Sequence, residues 1–347
     1  MVSDSSIDFS KNILVCGGAG YVGSHVALSL MRSGYTPVIV DNFANSDPSI
    51  ITRLEAISRS AIKSYKVDLA DKVRVFQIFE QVAPVAVIQL AGLKAVAQSF
   101  KEPVNYYAVN LGITLNILSA MSHYECEKIV FSSSATVYGE PDYIPIDEGH
   151  RVSPINPYGR TKLFQEEIIR DWVAAEGQAS AVILRYFNPV GADASGLIGE
   201  DPSGTPNNLM PILGDTAAGI RDDVLIFGAD YPTRDGTCER DYVHVSDVAD
   251  AHVAALEAVL ENKYEIFNVG TGRGVTVREA IDAYSKALGQ RLPKRIGARR
   301  DGDAASSVAA NNKILQRLKW RPLRDFKDAC RDEVKWRSYK AGQNLGD

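Results

Sequence analysis

The feature that most constrains this chain is a glycine cluster set between a strand-like run and a helical pattern. Ile13-Leu14-Val15-Cys16 leads directly into Gly17-Gly18-Ala19-Gly20-Tyr21-Val22-Gly23, and Val22–Met31 then carries helical apolar spacing. Gly17, Gly20 and Gly23 form a GxxGxxG pattern. Glycine is required there for a tight turn, for close approach of backbone to a pyrophosphate, and for packing helix on strand, with the helix N-terminus facing the phosphates. Asp41 ends the next strand-like run, 18 residues beyond Gly23. A carboxylate at that point accepts hydrogen bonds from ribose hydroxyls and repels a 2′-phosphate. The pattern predicts a dinucleotide site that takes NAD rather than NADP.

The rest of the first half repeats the alternation. Strand-like runs fall at Pro37–Asp41, Ser64–Asp68, Val85–Leu90 and Ile129–Ser132, with helical spacing between them, as in Val73–Val82. Such alternation predicts an α/β fold: a Rossmann-type, doubly wound parallel sheet covered by helices on both faces. Beyond Phe187 the pattern loosens, and residues 188–207, rich in Gly, Pro, Ser and Asp, read as an extended functional loop. Later strand-like pieces (Val224–Phe227, Tyr242–Val245, Ile266–Val269) interleave with helical ones (Val248–Leu260, Val277–Leu288). Residues 11–187 are therefore expected to form the dinucleotide-binding domain. Residues 188–340 are expected to form a smaller C-terminal mixed α/β domain for the substrate, with some segments returning to the first sheet.

Bulk properties narrow the function class. A net charge of −5 gives no electrostatic footprint for nucleic acid or an anionic membrane. Cys16, Cys126, Cys238 and Cys330 lie far apart with no CxxC, which reads as reduced thiols, and the five histidines lack metal-ligand spacing, so no metal is expected. Met1–Ser10 is polar and acidic, unlike a secretory leader, and no apolar run reaches membrane-spanning length; a cytoplasmic protein is expected.

Tyr158 and Lys162 stand four apart at the start of a helical segment that follows Pro154 and Pro157, a spacing that puts both on one face. An ammonium near a phenol favours the phenolate, as does a positive nicotinamide ring, so the Tyr158 pKa is expected to fall from about 10 toward a useful general base. A second YxxxK, Tyr124/Lys128, falls where a helix meets the Ile129 strand and reads as accidental. Ser132-Ser133-Ser134 ends a strand, and a serine at the C-terminal edge of a parallel strand points into the ligand crevice.

These runs together resemble the extended short-chain dehydrogenase/reductases: Gly17–Gly23, Ser132-Ser133-Ser134-Ala135-Thr136-Val137-Tyr138-Gly139, and Tyr158-Gly159-Arg160-Thr161-Lys162. More narrowly the chain resembles the UDP-glucose (UDP-galactose) 4-epimerases. Supporting runs are Ala91–Val96, Leu184–Ala192, Gly199–Pro202, Pro206–Pro211, Arg240–Val245 and Arg299–Asp303, in family order from about Asn12 to Trp336. The resemblance implies an isomerase that oxidises a nucleotide sugar at C4 with tightly held NAD and reduces it again from the other face. It makes Tyr158 the acid/base, has Lys162 tune it and hold the nicotinamide ribose, and places Ser134 and Thr136 on the sugar hydroxyl. Beside the glycines it implies NAD contacts from Tyr21, Val22, Asp41, Asn42, Asn45, Ser46, Asp68 and Leu69, and from Leu90, Ala91, Lys94, Asn110 and Phe187. UDP-sugar contacts are implied for Asn188, Asn208, Leu209, Phe227, Arg240, Tyr242, Arg300 and Asp303, the two arginines as clamps on the diphosphate.

Sibling dehydratases and decarboxylases usually carry an acidic residue within the run occupied here by Ser134-Ala135-Thr136, and Ala135 cannot serve as acid or base. Gln89-Leu90, Leu111-Gly112-Ile113 and Cys238-Glu239 depart from the usual epimerase pattern beside the chemistry rather than at it. Epimerases restricted to non-acetylated sugars are similar but carry tyrosine where this chain has Ser307, which predicts acceptance of UDP-N-acetylglucosamine and UDP-N-acetylgalactosamine. Other readings are a UDP-xylose/UDP-arabinose 4-epimerase and a non-catalytic NAD-binding sensor, which typically lacks the Tyr/Lys pair. The resemblance also implies a homodimer joined through helices near Tyr107–Met121 and Lys162–Trp172, with Leu163, Phe164, Ile168 and Trp172 at the contact or packed on the sheet.

Overall fold

The computed structural model describes residues 11–202, 204, 206, 208–258, 263–300 and 303–342. The chain opens with β1 (Asn12–Cys16), α1 (Tyr21–Arg32), β2 (Thr36–Asp41), α2 (Ser49–Ser58), β3 (Lys63–Lys66) and α3 (Lys72–Val82). It continues through β4 (Ala86–Gln89), α4 (Val96–Lys101), α5 (Pro103–His123), β5 (Lys128–Ser134), α6 (Pro157–Glu176) and β6 (Ser180–Tyr186). These six strands, with one later strand, form a single parallel sheet in the order β10-β6-β5-β4-β1-β2-β3, where β10 is Tyr264–Val269. The expected doubly wound sheet is present, and the order reverses between β1 and β4, which opens a crevice at the strands' C-terminal edge.

The central strands read as unbroken apolar runs because helices cover both faces; β1 and β6 are buried at every position. On one side α3, α5 and α6 bury Val75, Ile78, Phe79, Ile117, Met121 and Ile169 against Leu14, Val87 and Phe131. On the other, α1 and α8 (Val245–Ala258) bury Val26, Leu30, Val248 and Leu256 against Val15, Ile88 and Val182.

Past β6 lie β7 (Asn188–Val190), α7 (Leu209–Ala217), β8 (Val224–Phe227), β9 (Glu239–His244), β11 (Gly274–Thr276), α9 (Val277–Leu288), β12 (Lys294–Gly297) and β13 (Ser306–Ser307). Strand β9 pairs antiparallel with β11 and parallel with β7 and β13, so this smaller region is mixed. Helices α10 (Asn312–Leu318) and α11 (Phe326–Lys340) complete the chain. Strand β10 joins the large sheet and α8 packs on it, although both come late in the chain.

Some boundaries differ. Residues 188–207 are not loop throughout, since β7 pairs with β9 there, and Pro189 sits within that short strand. Val245 begins α8 rather than ending a strand, and residues 259 and 260 of the predicted Val248–Leu260 helix lie outside the described residues. Among the described residues no helix is long and apolar enough to cross a membrane, and all four cysteines are free and buried.

Candidate active site

The turn after β1 is built so that only glycine fits. Gly17 has φ +78°, and a Cβ on it would lie 2.8 Å from the Ala91 amide nitrogen; a Cβ on Gly23 would lie 2.1 Å from the Gly17 carbonyl oxygen. Helix α1 starts at Gly20 without a side-chain cap and without an acid in its first turn, leaving its end open to an anion. Ala19, Gly20, Tyr21, Ser24, Asn45, Ser46, Arg53 and Lys94 line the cleft in front of that end together with Asp47, Glu200 and Asp201, so the helix dipole and two cations face it alongside three acidic residues. Asp41 ends β2 and fastens this loop: one carboxylate oxygen accepts from Ala19 N at 3.1 Å, the other from Phe43 N at 2.8 Å. This donor set, with a carboxylate at the second strand, fits NAD and opposes a 2′-phosphate.

Other predicted cofactor residues gather round the same edge. Leu90 N donates to the Cys16 carbonyl at 2.9 Å, placing Leu90 and Ala91 beside the glycine turn. Asn42 donates to Asp68 at 3.5 Å, and Leu69 is buried beneath α5, its carbonyl taken by Asn116 at 3.0 Å. Val22 packs into the sheet core, while Phe187 is buried with Val137, Tyr138, Ile146 and Ala309. Three side chains are also engaged within the protein. The Tyr21 hydroxyl donates to the Gly191 carbonyl at 2.6 Å, the Lys94 ammonium pairs with Glu200 at 3.4 Å, and Asn110 is bonded to Leu93 N and O and to Thr161 Oγ1.

Helix α6 carries the reacting groups. Asn156 caps it through Gly159 N at 2.8 Å and Pro157 occupies its first turn, so Tyr158 and Lys162 fall on the first two turns as predicted. A Cβ on Gly159 would come within 2.8 Å of the Thr136 carbonyl; the close approach of helix and loop brings Tyr158 against the end of β5. There Ser134 Oγ accepts from Thr136 N at 3.2 Å and from Thr136 Oγ1 at 2.9 Å. Its own proton is then free to point at the Tyr158 oxygen, with which it hydrogen-bonds. Lys162 is buried, donates to the Ser132 carbonyl at 2.8 Å and lies over the Phe131 ring at 4.8 Å. The second YxxxK is indeed split: Tyr124 ends α5 and Lys128 opens β5.

One expectation is corrected. The polypeptide by itself does not lower the Tyr158 pKa. Burial pushes the phenol up to about 12, the hydrogen bond from Ser134 pulls the other way, and Lys162 is not among the groups that shift it. The ring is only partly covered from solvent, yet protein surrounds its hydroxyl closely enough for desolvation to win. Lys162 is itself drawn down to about 8 by burial, against the opposing charge of Glu166. Four residues along a helix aligns the two side chains without putting the ammonium on the phenol.

The predicted sugar-nucleotide residues meet across the smaller region. In the β7–β9 ladder Asn188 lies opposite Tyr242, and in the β13–β9 ladder Ser307 lies opposite Arg240. Asp303 receives Arg300 through two bonds, at 3.0 and 2.9 Å, and Arg240 at 3.4 Å; Arg300 also lies over the Phe227 ring at 5.3 Å. Asn208 donates to Glu200 at 2.7 Å, and Leu209 starts α7 on the smaller region's core. Two positively charged groups thus share one carboxylate, a cluster whose surplus charge suits a diphosphate.

Sequence reading missed Ser24, Arg53 and Glu200 at the cofactor cleft, and Glu166 with Arg185 beneath the reacting pair. Glu166 had an available signal: it extends the Tyr158, Lys162 spacing by one more turn on the same helix face.

The sequence matches the NAD dependent epimerase/dehydratase family over residues 13–270. It is 47% identical to a UDP-glucose 4-epimerase of Dictyostelium discoideum, across 94% of this chain and 95% of that one. It is 46% identical to the UDP-glucose 4-epimerase of Bacillus subtilis (strain 168), across 94% and 96%. Among solved structures, the UDP-glucose-4-epimerase of Stenotrophomonas maltophila, with bound NAD and formylated UDP-arabinopyranose, superposes with a TM-score of 0.93 at 44% identity, covering 96% of this chain and 99% of that one. The enzyme of Bifidobacterium longum, in complex with NAD+ and UDP, gives a TM-score of 0.92 at 41% identity, covering 96% and 100%. The glycine cradle, the Ser134–Tyr158–Lys162 cluster and near-full-length similarity agree: the chain belongs to the NAD dependent epimerase/dehydratase family, among its UDP-glucose 4-epimerases.

Proposed function

We propose that this protein interconverts UDP-glucose and UDP-galactose by inverting C4 of the sugar. The observation that carries the reading is that Tyr158, Ser134 and Lys162 gather at the end of β5, on the same C-terminal edge of the sheet as the glycine turn that follows β1. NAD, which the glycine turn and Asp41 would hold, would supply a reversible hydride acceptor for the sugar carbon, so that no net oxidation would remain. Tyr158 accepts the proton of the C4 hydroxyl on its phenolic oxygen and gives it back as the new hydroxyl forms. Ser134, whose oxygen already receives two hydrogen bonds from Thr136, supports the deprotonated phenol with its proton. Lys162, buried one turn further along α6, is fastened to the Ser132 carbonyl on the same strand end. Arg240 and Arg300 hold the diphosphate while the oxidised sugar turns about its link to it, with Asn188, Asn208, Leu209, Phe227, Tyr242 and Asp303 completing that half of the site. On this reading residues 11–187 serve chiefly NAD and residues 188–340 chiefly UDP-sugar.

Replacing Tyr158 with Phe removes the proton acceptor and little else. In the NAD-loaded protein kcat for UDP-galactose is expected to fall about 10²–10⁴-fold with NAD retained. Activity within tenfold of the parent would end the assignment.

Ser307 supports a wider substrate range. It stands opposite Arg240 in the ladder, and its small side chain leaves room beside the sugar. The protein is proposed to accept UDP-N-acetylglucosamine and UDP-N-acetylgalactosamine as well. Ser307→Tyr is expected to abolish turnover of the N-acetyl pair while sparing the plain hexoses; equal loss with both pairs removes the idea.

A homodimer through α5 and α6 is proposed on the exposure of Val104, Leu115 and Phe164 along those helices. Leu163, Ile168 and Trp172 instead pack partly inward. Four free, buried thiols support a cytoplasmic location.

A further inference from the structure

Behind the reacting pair lies a second charged layer that the chemistry above does not use. Glu166 is one turn beyond Lys162 on α6 and is buried. Its carboxylate accepts from Arg185 Nε at 3.0 Å and from the second guanidinium arm at 2.6 Å, and it also accepts from the Ser133 hydroxyl. Arg185, on β6, is buried in turn, and its guanidinium lies 4.9 Å from the Tyr138 ring centroid. Lys162 meanwhile bonds the Ser132 carbonyl, so two successive residues of β5, just before Ser134, are fastened to two successive turns of α6. A buried ion pair is weak evidence for stability, because hydrophobic replacements of similar volume often serve as well. Its value here lies in what stands next to it.

We propose that Glu166 is a positioning residue for the reaction: its carboxylate balances the ammonium of Lys162 inside the protein, and Arg185 and Ser133 hold that carboxylate in place. The proposal rests on the assignment of Tyr158 and Lys162 to the chemistry. The charged and titratable groups around the pair are few. Tyr158 shares the helix, Arg185 and Tyr186 face it from β6, and Tyr106 of α5 lies against Tyr158. Tyr264 of β10 donates to the Glu166 carbonyl at 3.2 Å. Of these neighbours, Glu166 is the one whose charge opposes the burial that draws Lys162 down to about 8. Without it the amine turns neutral at lower pH, and the buried positive charge one turn from Tyr158 on α6 is lost.

The test has two arms of opposite sign, both in the NAD-loaded enzyme. Glu166→Gln keeps an acceptor for Ser133 but removes the charge. Arg185→Met keeps the charge and removes its counter-ion. The titration of Lys162 is followed directly by ¹⁵N NMR of lysine-labelled protein, the signal being identified by its loss in Lys162→Met. Glu166→Gln is expected to move that titration, and the alkaline limb of the kcat profile, to lower pH by about one unit, and Arg185→Met to move both upward. Should Glu166→Gln fail to fold, the paired Glu166→Leu, Arg185→Leu substitution removes both charges and is expected to give a smaller downward shift, because losing the Arg185 cation offsets only part of losing Glu166, whose charge opposes the burial of Lys162. A Lys162 titration unmoved in both arms, or moved the same way in both, overturns the proposal. Because the NMR signal is read apart from turnover, a failure here is distinguishable from a failure of the catalytic assignment, which Tyr158→Phe tests.

Discussion

The two halves of the crevice handle charge in opposite ways. At the end of β5 the polypeptide buries its ionisable groups: Lys162 is 5% exposed, Glu166 and Arg185 less, and each is tied to a fixed partner. Across the crevice Arg240 and Arg300 share Asp303, and the Arg300 side chain is 56% exposed. The first arrangement suits a charge created in place, when a phenol loses its proton, because fixed dipoles in a dry site need not reorganise. The second suits a charge that arrives with the substrate: an exposed guanidinium loses little hydration when it exchanges one anion for another. Substitutions in the first half should therefore strike the chemical step or the fold, and those in the second half should strike binding.

The sharpest way to break that comparison is at the glycine turn. A methyl at Gly23 meets backbone, the Gly17 carbonyl oxygen and the Gly18 Cα, with no flexible side chain to give way. Gly23→Ala is expected to cost about 1–3 kcal/mol of stability and to leave most purified protein without NAD. Thermal unfolding together with the NAD released on denaturation checks this. Parent-like NAD content would mean that helix α1 tolerates a shift and that the turn is not the rigid element described.

Arg240→Ala comes next. Arg240 donates to the carbonyls of Glu239 and Ala304 at 2.8 and 2.9 Å as well as to Asp303, so it is a placed cation rather than a solvated one. Loss of one charge-assisted contact, about 1.5–3 kcal/mol, corresponds to a rise in KM for UDP-galactose of roughly 10–100-fold. The substitution should leave kcat within a few-fold. A fall in kcat with KM unchanged would place Arg240 with the first half instead.

How much of this was legible in the sequence follows the same divide. The glycine turn, Asp41 and the Tyr158/Lys162 spacing are local patterns; Asp41 bonds the glycine turn, and Tyr158 and Lys162 share the start of α6. The partners that complete them are not local. Glu166 meets Arg185 only because α6 packs on β5 and β6, and Asp303 meets Arg240 across 63 positions. Strand β6 escaped notice although it is buried throughout, since Arg185 interrupts the apolar run of Ser180–Tyr186 and its charge is answered from another element. Strand β7 was hidden by Pro189, which ordinarily argues against a strand. Helix α5 lacks a clear one-sided pattern because much of its circumference is apolar, so periodicity could not outline it. The contribution of Lys162 to the Tyr158 pKa was misread for a related reason: spacing tells which side chains align, but not which atoms surround them.

The mildest test, and the one that sharpens the comparison most, is Arg300→Ala. Arg300 lies over the Phe227 ring and is held by Asp303, yet more than half of its side chain meets solvent. A cation so exposed contributes little at physiological ionic strength, about 0.2–1 kcal/mol for a paired group, so KM should rise only about two- to five-fold. The effect should shrink further as salt is raised, because the Debye length falls from about 10 Å at 0.1 M to about 3 Å at 1 M. Arg240, four-fifths covered, should keep most of its effect over the same range. Titrating UDP into each variant at low and high salt separates the two arginines. Equal salt sensitivity would show that they act as one exposed cluster, and that the second half of the crevice has no buried anchor of its own.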